Sequence, residues 1–249
     1  MDLYDQALLN MEHTLHALAG RVPLPQRVPH MGSFAYRYVE KSIHQALVQK
    51  LARSISTLLA ARFLLKEGFV QEQAALQRIL DEINEDITFL SFGVIYDDIT
   101  SLHQNYLEAF FEEEFDAETA LASTQKRPMI PRKKIHAYIA RIESMNSDPS
   151  TAVEVSRTVS KAYSGYIHAA SPQIMDMYGG NPPKFHVRGM RNTPRYHEHR
   201  ADLWNYFYRC IISFAFVAKA FGDDELFTSI REFTREFEHL HLKDYAPAE

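Results

Sequence analysis

The 249-residue chain has a single cysteine, Cys210. One thiol cannot close an intramolecular disulfide, so the fold must rest on packing, and a reducing compartment, the cytoplasm, is the expected location. Positive charge is not in excess either: 27 Lys and Arg stand against 32 Asp and Glu, a formal net charge of −5. No overall field draws such a chain to nucleic acid or to an anionic membrane, and only local basic patches stay open. Long hydrophobic runs are absent. The most apolar stretch, Cys210 to Ala218, is bracketed by Arg209 and Lys219 and is far shorter than the roughly 20 residues that span a bilayer. Asp2, Asp5 and Glu12 stand where an export signal would be basic and then apolar, so neither a signal nor a membrane partner is expected. Glycine-rich nucleotide loops, His-Glu-x-x-His and Cys-x-x-Cys are also missing, which removes the common nucleotide and zinc readings and leaves no cofactor expected. Two-residue alternation is scarce and there is no internal repeat.

What is present is a helical period. Val39, Ile43, Leu47, Leu51, Ile55, Leu59 and Phe63 form one stripe of a long helix that Gly68 ends. Leu76, Leu80, Ile83, Ile87, Leu90 and Val94 supply an antiparallel partner, making a central hairpin. Asp97-Asp98 reads as the cap of a third helix through Tyr106 and Phe110, frayed at Glu112-Glu113-Glu114. Asp116 to Ile130 reads as an irregular connection, and Pro131 as the start of a helix reaching Met145. A further helix follows Pro149, with Val155, Val159, Tyr163, Tyr166 and Ala170 as its core stripe, until Ser171-Pro172 interrupts it. Gly179 to Thr193 is a long loop, the one place where a short strand or hairpin is expected. Thr193-Pro194 then starts a central helix carrying Trp204, Phe207, Ile211, Phe214, Ala218 and Phe221, which Gly222 stops. The last helix presents Leu226, Ile230, Phe233, Phe237 and Leu240. The expectation is one all-α domain over 1–249, a bundle of about eight helices. Its parts are an amino-terminal helix with a Pro-rich linker (1–32), the central hairpin and third helix (33–115), and the remaining helices (131–243).

Arg78 and Glu82, four apart on the second hairpin helix, share a face at the border of the apolar stripe, where a partly buried pair needs further partners. His168 falls in a final helical turn, where the helix dipole favours its charged form; it serves there as a cap, or as a general acid or base with Tyr163 beside it. Lys184-Phe-His186-Val-Arg188-Gly-Met-Arg191 combines basic, aromatic and glycine residues in the long loop, a ligand-binding candidate. The basic run Arg127, Arg132, Lys133 and Lys134 reads as a solvated face. Glu236-x-x-His239 and Glu238-x-x-His241 have the spacing of helical carboxylate metal sites, but they overlap on one helix and point in several directions, so no metal site is expected.

The Arg78-x-x-x-Glu82 helix, followed by Tyr163-x-x-Tyr166-Ile-His168-Ala, resembles a family of prokaryotic all-helical proteins catalogued only as a domain of unknown function. The likeness covers the middle half of the chain, with Gly165 where the family's pattern has Leu. It implies a helical fold in which Arg78, Glu82, Tyr163 and His168 come together, and it implies no established activity. Arg191-Asn-Thr-Pro-Arg-Tyr-His197 resembles the Arg–His spacing of HEPN-type helical nucleases, which implies metal-independent RNA cleavage, with Arg191 steadying a phosphate and His197 moving a proton. Pro194 places Arg191 ahead of the helix, and Arg37 with His44 and Arg235 with His241 have comparable spacings. Three functions are therefore carried forward. The first is recognition of a small anionic molecule or a protein partner by Arg78, Glu82, Tyr163 and His168 beneath the Gly179–Thr193 loop. The second is an RNA-cleaving effector using Arg191 and His197. The third is a structural module that forms a homodimer through an exposed stripe.

Overall fold

The computed structural model describes residues 2–30, 32–113, 117, 119, 121–123, 128–143, 163–191 and 193–244. Among them lie nine helices and two small antiparallel ribbons, the all-α architecture that the apolar period demands. Helix α1 (Leu3–Ala19) opens on Asp2, whose carboxylate accepts the Asp5 amide while Asp5 accepts the Asp2 amide in return. Strands β1 (Gln26–His30) and β2 (Ser33–Arg37) pair antiparallel. Ser42 and Gln45 close a second capping box at the start of α2 (Ile43–Glu67). Gly68 ends α2 with φ of 86°, a left-handed turn that a residue without Cβ makes unstrained. Helix α3 (Val70–Ile95) then runs back along α2, and Lys50 on one helix reaches Asp86 on the other. The expected central hairpin is present.

Helices α4 (Ser101–Phe111), α5 (Arg132–Glu143), α6 (Ser164–Ile167) and α7 (Ser171–Met175) follow, then the ribbon β3 (Tyr178–Gly179) and β4 (Lys184–Phe185). Thr193 caps α8 (Pro194–Ala220), its hydroxyl accepting the Tyr196 amide at 3.3 Å, with Pro194 in the first turn where its missing N–H costs nothing. Helix α8 is central: Phe207, Phe214 and Val217 are buried against α1, α2 and α3, each large side chain contributing about 1.5–3 kcal/mol through the apolar surface it removes from water. Gly222 turns the chain into α9 (Asp224–Asp244), which packs back on α8. Asp81 on α3 meets Tyr206 and Arg209 on α8, and Asn84 meets Cys210 and Ser213, so the two helices run parallel.

Several expectations are corrected. On α2, Leu59 and Phe63 point to solvent, as does Val39 ahead of the helix, while Leu58, Ala61 and Leu65 are buried. A spacing of four advances a side chain by about 40° per step on a helix of 3.6 residues per turn, so an unbroken four-residue stripe winds off the face where it began. The later part of the Pro-rich linker belongs to the β1–β2 hairpin, whose strands pair from Gln26/Arg37 to His30/Ser33. Helix α4 starts after Thr100, not after Asp97-Asp98, because Thr100 offers its amide to Nδ1 of His103. Its acidic end is held where Glu113 pairs with Arg37 at 2.5 Å. Helix α5 starts at Arg132, just after Pro131, and its further course to Met145 lies outside the described residues, as do Val155 and Val159. Of the helix expected through Ala170, the described part is the single turn α6, after which Ala169 takes φ of 49° and Ser171-Pro172 starts α7. The short ribbon expected in the 179–193 loop is present, entered from Tyr178.

Candidate ligand pocket between three helices

Helix α3 buries more than its apolar stripe. Gln73, Gln77, Asp81, Asn84, Glu85 and Asp86 are all buried, and a polar group out of water needs partners. Asp86 accepts from Lys50 Nζ and from the Tyr106 hydroxyl, each at 2.7 Å. Arg132 grips Asp86 and Glu85 with separate nitrogens and also donates to the Glu82 carbonyl at 3.1 Å. His136 Nε2 lies 2.9 Å from the same Glu85 carboxylate. Asp81 takes Arg209 at 2.6 Å and Tyr206 at 3.3 Å. Asn84 Oδ1 accepts from Ser213 at 3.0 Å and Cys210 at 3.5 Å. Three cations, Lys50, Arg132 and Arg209, thus face three carboxylates, Asp81, Glu85 and Asp86.

The environment separates these groups. Burial opposes ionisation of Glu85, but His136 and Arg132 outweigh it and hold the carboxyl below its ordinary value. Burial wins at Asp81, which is raised despite Arg209 and Tyr206, and at Lys50, which is lowered despite Asp86. Burial also pushes the Cys210 thiol up to about 12, an inert sulfur.

Beside this network lies a cavity of about 220 Å³ between α3, α5 and α8. Asn84, Glu85, His136, Glu143, Arg209 and Ser213 bring polar atoms to its wall; Ile139, Ile212 and Phe216 make the rest apolar. Asn84 Nδ2 is buried without a hydrogen-bond partner. With the Nε2 proton of His136 directed at Glu85, Nδ1 is left as an acceptor, the arrangement in which a carboxylate orients an imidazole for proton transfer. Burial raises the Glu143 carboxyl.

A second cluster sits nearer the start of α8. Tyr163 donates to Asp202 at 2.5 Å, and Tyr166 lies 3.2 Å from Nε2 of His199, a buried imidazole whose Nδ1 has no partner. Burial lowers His199 and pushes Tyr166 up to about 12.

The residues expected to form a site are placed as follows. Arg78 and Glu82 do pair, at 2.8 Å, with Arg78 largely buried and Glu82 half exposed. Tyr163 turns inward to Asp202, whereas His168, the cap of the single-turn helix α6, is exposed; Tyr163 packs near His199 and Tyr206 instead. A side chain at Gly165 would meet the Gln173 amide at 2.4 Å and displace it. Lys184 and Arg188 are exposed, and His186 Nε2 contacts the Gly179 carbonyl at 3.2 Å. Arg191 donates to the Lys66 carbonyl at 2.7 Å and pairs with Glu67 at 2.8 Å, clasping the loop to the end of α2, while exposed His197 lines an open groove with Lys66, Arg200 and Tyr4. Among the described residues no group of three or more His, Cys, Asp or Glu is placed to hold a metal ion, and no helix is long and apolar enough to cross a membrane.

The pocket residues went unread in the sequence, yet a signal was there. Gln73, Gln77, Asp81 and Glu85 recur every four residues on α3, and Asp202, Tyr206, Arg209 and Ser213 are spaced four, three and four on α8. Where the two stripes meet, Asp81 takes Tyr206 and Arg209, and Asn84 takes Ser213. Arg132, read as part of a solvated run, is drawn in because α5 presents it to the two carboxylates of α3. Comparison with protein families, curated proteins and solved structures finds no match to this chain in any of the three.

Proposed function

We propose that the protein binds a small, uncharged polar molecule in the pocket between α3, α5 and α8, with His136 and Glu85 as a proton-transfer pair at its wall. The observation that carries this reading is Asn84 Nδ2, a buried amide donor without a partner on a residue that lines the pocket. An unmade buried hydrogen bond costs about 1–3 kcal/mol, and a ligand carbonyl or hydroxyl oxygen recovers it. The volume, about 220 Å³, falls below the roughly 300–1,000 Å³ of sites for drug-sized ligands, so the ligand is small. Its charge follows from the surroundings: in the network beside the pocket Lys50, Arg132 and Arg209 balance Asp81, Glu85 and Asp86, and Glu143 on the pocket wall offers an anion no counter-charge. An anionic ligand held by Arg78 and His168 is less well supported, since Arg78 already pairs with Glu82 and His168 is exposed.

The test is a ligand-observed NMR screen with a panel of small amides, lactams, diols and carboxylates, run on the wild type and on Ile139→Trp, which fills the pocket. Neutral amides or diols should bind the wild type and be lost in the variant. Binding of carboxylates alone, or of nothing in the panel, refutes the reading.

A further inference from the structure

Helices α2 and α8 run antiparallel: the Gly68 carbonyl accepts the Met190 amide at 2.7 Å at one end, and His44 Nε2 lies 3.2 Å from the Ala220 carbonyl at the other. Helix α1 packs on both but starts late. Its first residues are level with Arg62, which pairs with Asp2 and Asp5, and the Tyr4 ring packs on Phe207 with centroids 4.7 Å apart. The last turn of α2 and the turns of α8 ahead of Phe207 therefore extend past α1, and a groove of about 940 Å³ opens between the three helices. Leu3, Leu65 and Leu203, with the rings of Tyr4, Tyr196 and Trp204, make most of its wall apolar and aromatic. The charged side chains on the wall are Asp2, Arg62, Lys66 and Arg200, joined by the His197 imidazole. Asp2, the one carboxylate among them, is held by Arg62. Among the described residues neither Lys66 nor Arg200 has a carboxylate partner, and both are exposed. The charge left unpaired on this wall is thus positive, in a chain whose formal net charge is −5. The antiparallel register sets Lys66 beside the first turn of α8 and Arg200 nearest Arg62, so the two free cations reach the groove from different helices, about one helical turn apart.

We propose that this groove is a second binding site, separate from the pocket between α3, α5 and α8, for a small aromatic phosphate monoester, with Lys66 and Arg200 holding the phosphate and the wall around Tyr196 and Leu203 taking the ring. Size and composition fit a ligand site: such sites enclose roughly 300–1,000 Å³ and set a few polar groups in an apolar, aromatic lining. The charge of the ligand follows from the two cations. A phosphate monoester carries about −1.5 to −2 at neutral pH, with three strong acceptor oxygens, and balances both. A carboxylate carries a single charge and leaves one cation unmatched. The guanidinium of Arg200 offers paired N–H donors that match phosphate oxygens, Lys66 adds a point charge with three donors, and the His197 ring nitrogens supply a further hydrogen bond. The ring is required by the rest of the wall, because a bare phosphate would leave the leucines and tyrosines of the groove facing water.

Calorimetric titration of the full chain with phenyl phosphate and naphthyl phosphate tests this, with inorganic phosphate, benzoate and phenol as comparisons. The two aromatic phosphates should bind, more weakly as salt is added, and each comparison should bind at least about tenfold less tightly, having lost either the second charge or the ring. Lys66→Gln and Arg200→Gln change exposed side chains and should keep the far-UV circular dichroism while each weakens binding about tenfold, the scale of one hydrogen bond to a charged group. Ala201→Trp keeps every cation but fills the groove from exposed Ala201 on its wall, and should abolish binding. Lys133→Gln, an exposed cation on α5, and Ile139→Trp in the other pocket should leave it unchanged. The proposal is overturned if neither aromatic phosphate binds the wild type, or if inorganic phosphate binds as tightly as phenyl phosphate. It is equally overturned if binding survives Ala201→Trp, if Lys133→Gln weakens it as much as Lys66→Gln does, or if Ile139→Trp removes it.

Discussion

Replacing Arg132 by methionine isolates the energetics of the interior. The substitution keeps most of the side-chain volume but leaves Glu85 with His136 alone and Asp86 with Lys50 and Tyr106. Removing one partner from a buried ion pair costs about 3–5 kcal/mol, because the other charge stays desolvated. Arg132 is 29 % exposed, so solvent screens part of the effect and about 3 kcal/mol is expected. For a chain of this size that lowers Tm by about 6–12 °C. The pH dependence follows from Glu85. Its carboxyl is held below the ordinary value of 4.5 in the folded protein, so its stabilisation is present above pH 4.5 and fades as the pH falls through the folded value. Arg132→Met removes one of the two partners that hold this carboxyl down, so acid weakens the variant less than the wild type. The Tm difference should be largest near pH 7 and narrow steadily towards pH 4. The double variant Arg132→Met/Glu85→Gln removes the orphaned charge and should recover at least half of the loss. Thermal melts by circular dichroism would refute the reasoning if the loss at pH 7 were under about 1 kcal/mol, did not shrink with acid, or were unchanged in the double variant.

Three further outcomes are expected. His103 is buried with its Nδ1 accepting from the Thr100 amide and its Nε2 donating to the Phe89 carbonyl at 3.1 Å. Burial lowers both His103 and His199 from the ordinary 6.5, so as pH falls through 6.5 the unfolded chain takes up protons first and stability drops, at up to about 1.4 kcal/mol per pH unit for each group; urea titrations that are flat between pH 7.5 and 5.5 would contradict this. Gly93→Ala places a methyl 2.6 Å from Nε2 of His103, whose ring stacks on Phe89 at 4.0 Å, and should cost about 1–3 kcal/mol; an unchanged denaturation midpoint would show that the ring is free to move. Arg191→Ala should lower global stability by less than about 1 kcal/mol, since the pair with Glu67 is half exposed. The same change should speed proteolysis within 179–193, and equal cleavage rates would mean that the clasp does not hold the loop.

The reach of the sequence depends on how local each cause is. Helix α8 was legible from Thr193-Pro194 to Gly222, because capping, proline at the first turn and a glycine stop act within a few residues of one another. The α2–α3 hairpin was legible for the same reason at Gly68. Helical class also follows from period, which needs no knowledge of neighbours. Pairing across the chain was not legible. The sequence placed Arg132 in a solvated run and Tyr163 beside His168. In the structure, the field of Glu85 and Asp86, 47 and 46 residues away, turns Arg132 inward, and Asp202 takes Tyr163 while His168 is left in solvent. Whether a polar residue faces water or a partner is a balance between desolvation and a hydrogen bond from another element. The partner's position is set only when the helices pack, which is why the pocket between α3, α5 and α8 belongs to the tertiary structure and the helices that line it to the sequence.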